Sequence, residues 1–249
     1  MIHAHSKHHI APQIARVITQ NLNPADTFID PFCRGCAVAE QLPKQLYRLQ
    51  LSDADPYLIA LFQCAQRGWT PPPSPLPKEQ WEHTKQHPDR EPHLTGYFGY
   101  LYGFRGQFFH GYCTIDNGIN LYQKAVTSFV KTAQQLSEAT FTHHHYQHTE
   151  IPATPSLLYL DPPNLNQSKH HHIGYPHFNH EAFWRWVRDT IATHPNCKAL
   201  VAEEHAPSDF IAIKSFTSNT EKLWIHKSQQ HLWKYPKPAM SFIHTEADR

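Results

Sequence analysis

An α/β fold on a sheet of mostly parallel strands is predicted by three features of this 249-residue chain. Short apolar runs alternate with segments of helical period. Two of those runs end on an aspartate followed by proline, at Asp30 and Asp161, where a strand gives way to a turn. One stretch in the middle departs in composition, as an insertion would. The length exceeds the ~150-residue prior for a domain, so one large domain or a core carrying one insertion is expected.

The elements follow in order. Ile10, Ile14, Val17 and Ile18 recur at helical spacing until Asn23-Pro24 stops them, which predicts an amphipathic helix over 10–20. Thr27 to Asp30 reads as a short strand leading into Pro31-Phe32-Cys33-Arg34-Gly35, and 37–42 (AVAEQL) returns to helical composition. A second strand is expected from Tyr47 to Leu51, then Ser52-Asp53-Ala54-Asp55 and a helix from Pro56 to near Gly68. The prolines of 70–77 (TPPPSPLP) lack amide donors and restrict the residues before them, so no helix continues there. Residues 96–112 gather five of the chain's nine glycines among phenylalanines and tyrosines. They fit either a compact hairpin whose aromatics simply pack or a surface that touches nucleic acid. A helix is predicted over 121–138, strands at 139–146 and 157–160, a helix over 180–192, a strand at 197–204, and two short strands at 222–228 and 238–243.

Hydrophobic residues make up 40% and charged residues 17%, enough apolar material for a core and too little charge for disorder. Lys and Arg number 22 against 21 Asp and Glu, so overall charge gives no reason to bind a polyanion or a membrane. The 22 histidines make the net charge sensitive to pH near about 6.5. Five cysteines, an odd number in a chain of this size, read as reduced thiols. No apolar leader opens the chain and no stretch approaches about 18 apolar residues, so a soluble cytoplasmic protein is expected.

In an α/β sheet ligands gather beyond the carboxyl ends of the strands, where Asp30-Pro31-Phe32 and Asp161-Pro162-Pro163-Asn164 both fall. Asp53 or Asp55, just after the second strand, could accept both hydroxyl protons of a ribose. Taken singly, a strand-end aspartate is more often a turn or helix-cap residue; the order and spacing of these change the odds.

The succession of HSKHHIAPQI (5–14), FIDPF (28–32), LSDADPYLIALFQ (51–63) and LLYLDPPN (157–164) resembles the Dam-type (class α) adenine-N6 DNA methyltransferases, in particular their phage-type branch. GFRGQFFHGY (103–112), HFNHEAFWRWVRD (177–189) and VAEEHAPSDF (201–210) are similar to further segments of that branch, so the resemblance spans nearly the whole chain. It implies a Rossmann-like sheet that binds S-adenosylmethionine and methylates adenine in DNA, double-stranded, with the target base flipped out. The catalytic core would be 1–69 and 121–249, with 70–120 an inserted target-recognition subdomain. By position, the cofactor residues would be Lys7, Asp30, Pro31, Phe32, Arg34, Gly35, Asp53 and Asp161, and the catalytic tetrapeptide Asp161, Pro162, Pro163 and Asn164. In that chemistry the Asp161 carboxylate and the Pro162 carbonyl accept the two protons of the exocyclic amino group, freeing its lone pair, while the pocket supplies alignment and electrostatics.

Two departures stand out. The fourth tetrapeptide residue is aromatic in the family and Asn164 here, and base stacking is worth roughly 1–3 kcal/mol. Tyr175, Phe178 or one of His170 to His172 could supply a ring instead, or Asn164 could read a base edge. The first loop, normally PF-x-G and small residues, carries Arg34 and Cys36. These departures keep open a catalytically impaired methyltransferase-like DNA-binding protein, or a transferase of altered base or cofactor specificity. Six Lys and Arg against five Asp and Glu between 66 and 125 make a weak phosphate-gripping face, on which Arg105, Gln107 and His110 are the candidate contacts. Cys33-x2-Cys36, His143 to His145 and His170 to His172 lack a second suitably spaced pair, so no metal site is expected.

Overall fold

The computed structural model describes residues 7–43, 47–102, 107–112, 114–116, 118–163, 173–175, 177–216 and 220–235. Its strands are β1 (Thr27–Asp30), β2 (Arg48–Asp53), β3 (Ile115–Asp116), β4 (Ile119–Asn120), β5 (Thr140–His143), β6 (Ser156–Leu160), β7 (Cys197–Glu203), β8 (Phe210–Ser215) and β9 (Lys222–His226). The helices are α1 (Ala11–Asn21), α2 (Pro56–Gln66), α3 (Lys78–Gln86), α4 (Pro92–Leu101), α5 (Leu121–Gln135) and α6 (His180–Thr193).

Seven strands form one Rossmann-like sheet in the order β5-β2-β1-β6-β7-β9-β8, and β3 pairs with β4 in a separate two-residue ladder. Strands β5, β2, β1, β6 and β7 run parallel, whereas β9 is antiparallel to both β7 and β8. The chain moves outward through β2 and β5 and returns to the other side of β1 as β6. The β1–β6 crevice is therefore the topological switch point, where such sheets hold ligands.

Both faces of the sheet are covered, which is why β1 and β6 are buried at every position and 157–160 reads as an unbroken apolar run. Alternation along the strands sends Phe28, Leu157 and Tyr159 into a core with α1, α2, α4 and α5, and Ile29, Leu158 and Leu160 into a second core under α6. Helix starts are fixed by side chains: Asp55 caps α2, Asn120 caps α5 and Asn179 caps α6, each accepting a first-turn amide. Among the described residues Cys33, Cys36, Cys64 and Cys197 are free thiols, and no helix is long and apolar enough to cross a membrane.

Three sequence expectations differ from the structure. Residues 37–42 hold only a 3-10 turn at Ala39–Gln41, because Pro43 cannot extend it. The glycine and aromatic stretch begins as helix α4, not as a hairpin, after an unpredicted α3. Its rings are largely core: Tyr97, Phe98 and Tyr102 are fully buried, and the Tyr97 hydroxyl bonds those of Tyr102 at 2.9 Å and Tyr122 at 2.8 Å. Strand β8 was not anticipated, while the 238–243 segment, Cys113, Arg105, Asn164 and His170 to His172 lie outside the described residues.

Gly96 shows why α4 needs its glycines. A Cβ there would stand 2.3 Å from the Tyr57 carbonyl oxygen and 3.1 Å from Leu61 Cβ, both on α2. Gly96→Ala must push the two helices apart, and a loss of about 1–3 kcal/mol in urea unfolding is expected. An unchanged unfolding midpoint would contradict this packing.

Candidate active site

Asp30 closes β1 and Asp161 follows β6 by one residue, so the two acidic turns open side by side on one edge of the sheet. Asp30 is buried, and its Oδ1 accepts the Phe32 amide at 3.0 Å, which folds the Pro31-Phe32 turn back over the strand end. Burial raises the Asp30 pKa well above the usual carboxylate range against the pull of that amide, with Asp161 and Asp53 adding repulsion.

The first loop is drawn toward β2. Asp53 accepts the Arg34 amide on Oδ2 and the Asp55 amide on Oδ1, both at 3.0 Å, and Cys33 donates its amide to Ser52 O at 3.0 Å. Burial and the neighbouring Asp55 raise the Asp53 pKa to about 6, a rise limited by the two amides and by the Arg34 charge. The nearby Arg34 charge also favours ionised Asp55. Asp55 itself is spent on structure: it caps α2 through the Tyr57 and Leu58 amides and accepts the Tyr100 hydroxyl.

Position 34 has φ 42° and Cys36 φ 58°, so two residues with side chains sit in the left-handed region that glycine occupies freely. This is the physical reason a glycine suits the Arg34 position. Cys33 and Cys36 are buried thiols whose pKa values burial pushes up, which disfavours the thiolate a metal would need. Among the described residues no group of three or more His, Cys, Asp or Glu side chains could hold a metal ion.

Phe32 is held in a buried aromatic cluster. Its ring centroid lies 5.3 Å from Tyr146, 5.4 Å from Tyr175, 5.9 Å from Phe178 and 6.0 Å from Phe183. Tyr175 and Phe178, two of the rings considered as substitutes beside Asn164, are thus engaged with the first loop. Gly174 fastens the segment that carries them: at φ +85° it approaches the Ala54 backbone so closely that a Cβ would lie 2.5 Å from the Ala54 oxygen.

The tip of β6 is tied to the N-terminal segment. Lys7 Nζ reaches Asp161 Oδ1 at 2.7 Å and Glu221 Oε1 at 2.6 Å, with only 10% of the lysine side chain exposed. Burial alone would lower the Lys7 pKa, but Asp161 and Glu221 outweigh it and raise the value. Pro162 is buried and Pro163 half-buried beside it. Glu203, at the end of β7, is 2% exposed, and burial pushes its pKa up to about 7. One of its oxygens accepts the Glu204 amide at 2.9 Å, while the other stands 3.7 Å from His180 Nδ1 without a hydrogen bond among the described residues. Burial lowers the His180 pKa, which favours the neutral ring.

Glu221, Glu203 and His180 escaped the sequence analysis. Glu221 lies 214 residues from Lys7. Glu203 did leave a signal, an acid closing an apolar strand at the edge where ligands bind. The nucleic-acid candidates Gln107 and His110 sit in the turn beyond α4, where Gln107 is half-buried, His110 is exposed, and the His110 amide donates to Gln107 O at 3.2 Å.

A model of the D12 class N6 adenine-specific DNA methyltransferase family matches residues 5–98. No curated protein matches the chain. Among solved structures, the rRNA methyltransferase aviRa from Streptomyces viridochromogenes is 12% identical with a TM-score of 0.45, covering 89% of this chain and 85% of its own. SMU.472 complexed with SAH is 10% identical with a TM-score of 0.38, covering 88% of this chain and 52% of its own.

Two measurements test the site's physics. Arg34→Gly should unfold about 1 kcal/mol less readily than Arg34→Ala, since both remove the guanidinium and only glycine accepts the left-handed backbone at no cost. Equal stabilities would place residue 34 outside that region. For Glu203 the folded pKa of about 7 exceeds the ordinary 4.5, so the folded state holds the extra proton between those values and loses stability as pH rises through that window. Between pH 5 and pH 8, Glu203→Gln should therefore lose about 3 kcal/mol less stability than the unsubstituted protein. Parallel pH profiles would show that Glu203 is ionised throughout.

Proposed function

We propose that the protein transfers a methyl group from S-adenosylmethionine to the N6 amino group of adenine in DNA, within the β1–β6 crevice. The observation that carries this reading is Asp161 at the tip of a central strand, one oxygen held by Lys7, at the switch point of the sheet. The family match over 5–98 supports it and spans Lys7, Asp30, Phe32 and Asp53, but the tetrapeptide at 161–164 lies beyond the matched segment.

The crevice suits a cationic cofactor. Asp30, Asp53, Asp161, Glu203 and Glu221 gather about it, against the single ammonium of Lys7 and the nearby Arg34. Asp53 spends one lone pair of each oxygen on an amide and keeps capacity for ribose hydroxyls. Phe32, Pro31 and Gly35 shape the first loop, and Lys7, Asp30 and Asp161 lie at the strand ends that flank the crevice. The bound cofactor supplies an activated methyl on a sulfonium sulfur. The chain's own residues prepare the nucleophile: Asp161 and the Pro162 carbonyl each accept one amino hydrogen, and Lys7 holds Asp161 through Oδ1. The flipped base costs a few kcal/mol to extract from the duplex. Residues 70–120, with Arg105, Gln107 and His110, form the target-recognition part of this reading.

A second reading, a DNA-binding protein with impaired catalysis, is favoured by one observation: the first loop carries side chains at the left-handed positions Arg34 and Cys36, where glycine would leave room for a cofactor. The decisive experiment incubates the purified protein with methyl-labelled S-adenosylmethionine and adenine-containing duplex DNA. Transfer to N6-methyladenine is expected, with kcat reduced about 100-fold or more in Asp161→Ala. DNA binding without cofactor binding or transfer would establish the second reading.

A further inference from the structure

The ammonium of Lys7 is shared. It lies 2.7 Å from Asp161 Oδ1 and 2.6 Å from Glu221 Oε1, and the Glu221 side chain is 6% exposed. Glu221 immediately precedes β9, whose pairing with β7 sets Lys222 opposite Glu203 and brings it to the same sheet edge as Asp161. An ammonium held by Asp161 alone would donate to it at full strength and compete with the amino hydrogens that Asp161 must accept. A second carboxylate divides that donation and fixes the lysine from behind.

We propose that Glu221 is a positioning residue for methyl transfer: by sharing the Lys7 ammonium it sets the orientation of Asp161 and how strongly the ammonium donates to it. This rests on the methyltransferase reading for its kinetic consequence, though the Lys7 clamp itself is testable without turnover. Among the described residues the titratable groups that face Lys7 are Asp161 after β6, Glu221 before β9, Asp30 on β1 and Glu203 on β7. Replacing Glu221 by glutamine keeps the shape and removes one of the two carboxylates in contact with the ammonium.

The experiment compares the unsubstituted full chain with Glu221→Gln and Glu221→Asp in two ways. In the first, amines are labelled with acetic anhydride from pH 7 to 10 and Lys7 acetylation is followed by mass spectrometry. Lys7 should label slowly in the unsubstituted protein and in Glu221→Asp, and about tenfold faster in Glu221→Gln, its labelling curve displaced to lower pH. In the second, methyl transfer should show kcat lowered about 10- to 100-fold in Glu221→Gln, with KM for S-adenosylmethionine unchanged and substantial recovery in Glu221→Asp. Lys7 labelling that is identical in Glu221→Gln overturns the proposal, as does an unaltered kcat in an active enzyme. An inert unsubstituted protein would instead overturn the methyltransferase reading while the labelling still judges the clamp. Should Glu221→Gln fail to fold, Glu221→Asp decides: Lys7 protection lost there counts against a carboxylate-specific role.

Discussion

Charge gathered at the carboxyl edge of the sheet must be balanced locally, and Lys7 does much of the balancing. A buried carboxylate without a partner would take up a proton or cost several kcal/mol of desolvation. Asp161, its side chain 21% exposed, has its counter-charge carried to it by the segment before α1, and that ammonium is in turn held by Glu221, which precedes β9 at the same edge of the sheet. Three stretches remote in sequence therefore meet at one point. The N-terminal turn, the tip of β6 and the approach to β9 have their relative placement set by two short contacts. Asp30 and Asp53 are treated differently: backbone amides satisfy them, so their carboxylates shape turns as well as the crevice.

The first loop takes the geometry that results. Asp53 pulls the Arg34 amide toward β2, and Phe32 is locked among Tyr146, Tyr175, Phe178 and Phe183. Between these anchors the chain accepts left-handed backbone at Arg34 and Cys36, a conformation costing about 1–3 kcal/mol for a residue with a side chain. The loop is thus strained beside the site while the scaffold around it is over-determined. A site built this way is preorganised by its surroundings and does not depend on the loop's own preferences.

Much of the scaffold was legible because it is local. The period of Ile10, Ile14 and Ile18, the Asp55-Pro56 start of α2, the short β-prone run of β1 and the unbroken apolar run of β6 each carry their own signal. Helix α4 was not legible, because Gly96 and Gly99 lower helix propensity and only contact with α2 and Phe108 rewards them. Strand β8 is half-exposed with a register shift near Lys214, so its pattern is weak. At the site, the strand-end aspartates could be read from their turns. The double duty of Asp55 and the hold of Asp53 on the Arg34 amide depend on groups that meet only in the folded chain, and the Glu221 partnership spans nearly its whole length.

The central claim is that the β1–β6 crevice is the seat of the chemistry, and a crystal structure with S-adenosylhomocysteine tests it most directly. The account predicts the sulfur between Asp30 and Asp161, the ribose hydroxyls on Asp53, and the Arg34 guanidinium turned out of the adenosine's path. A ligand bound elsewhere, or the Arg34 guanidinium occupying the crevice at saturating ligand, would contradict it.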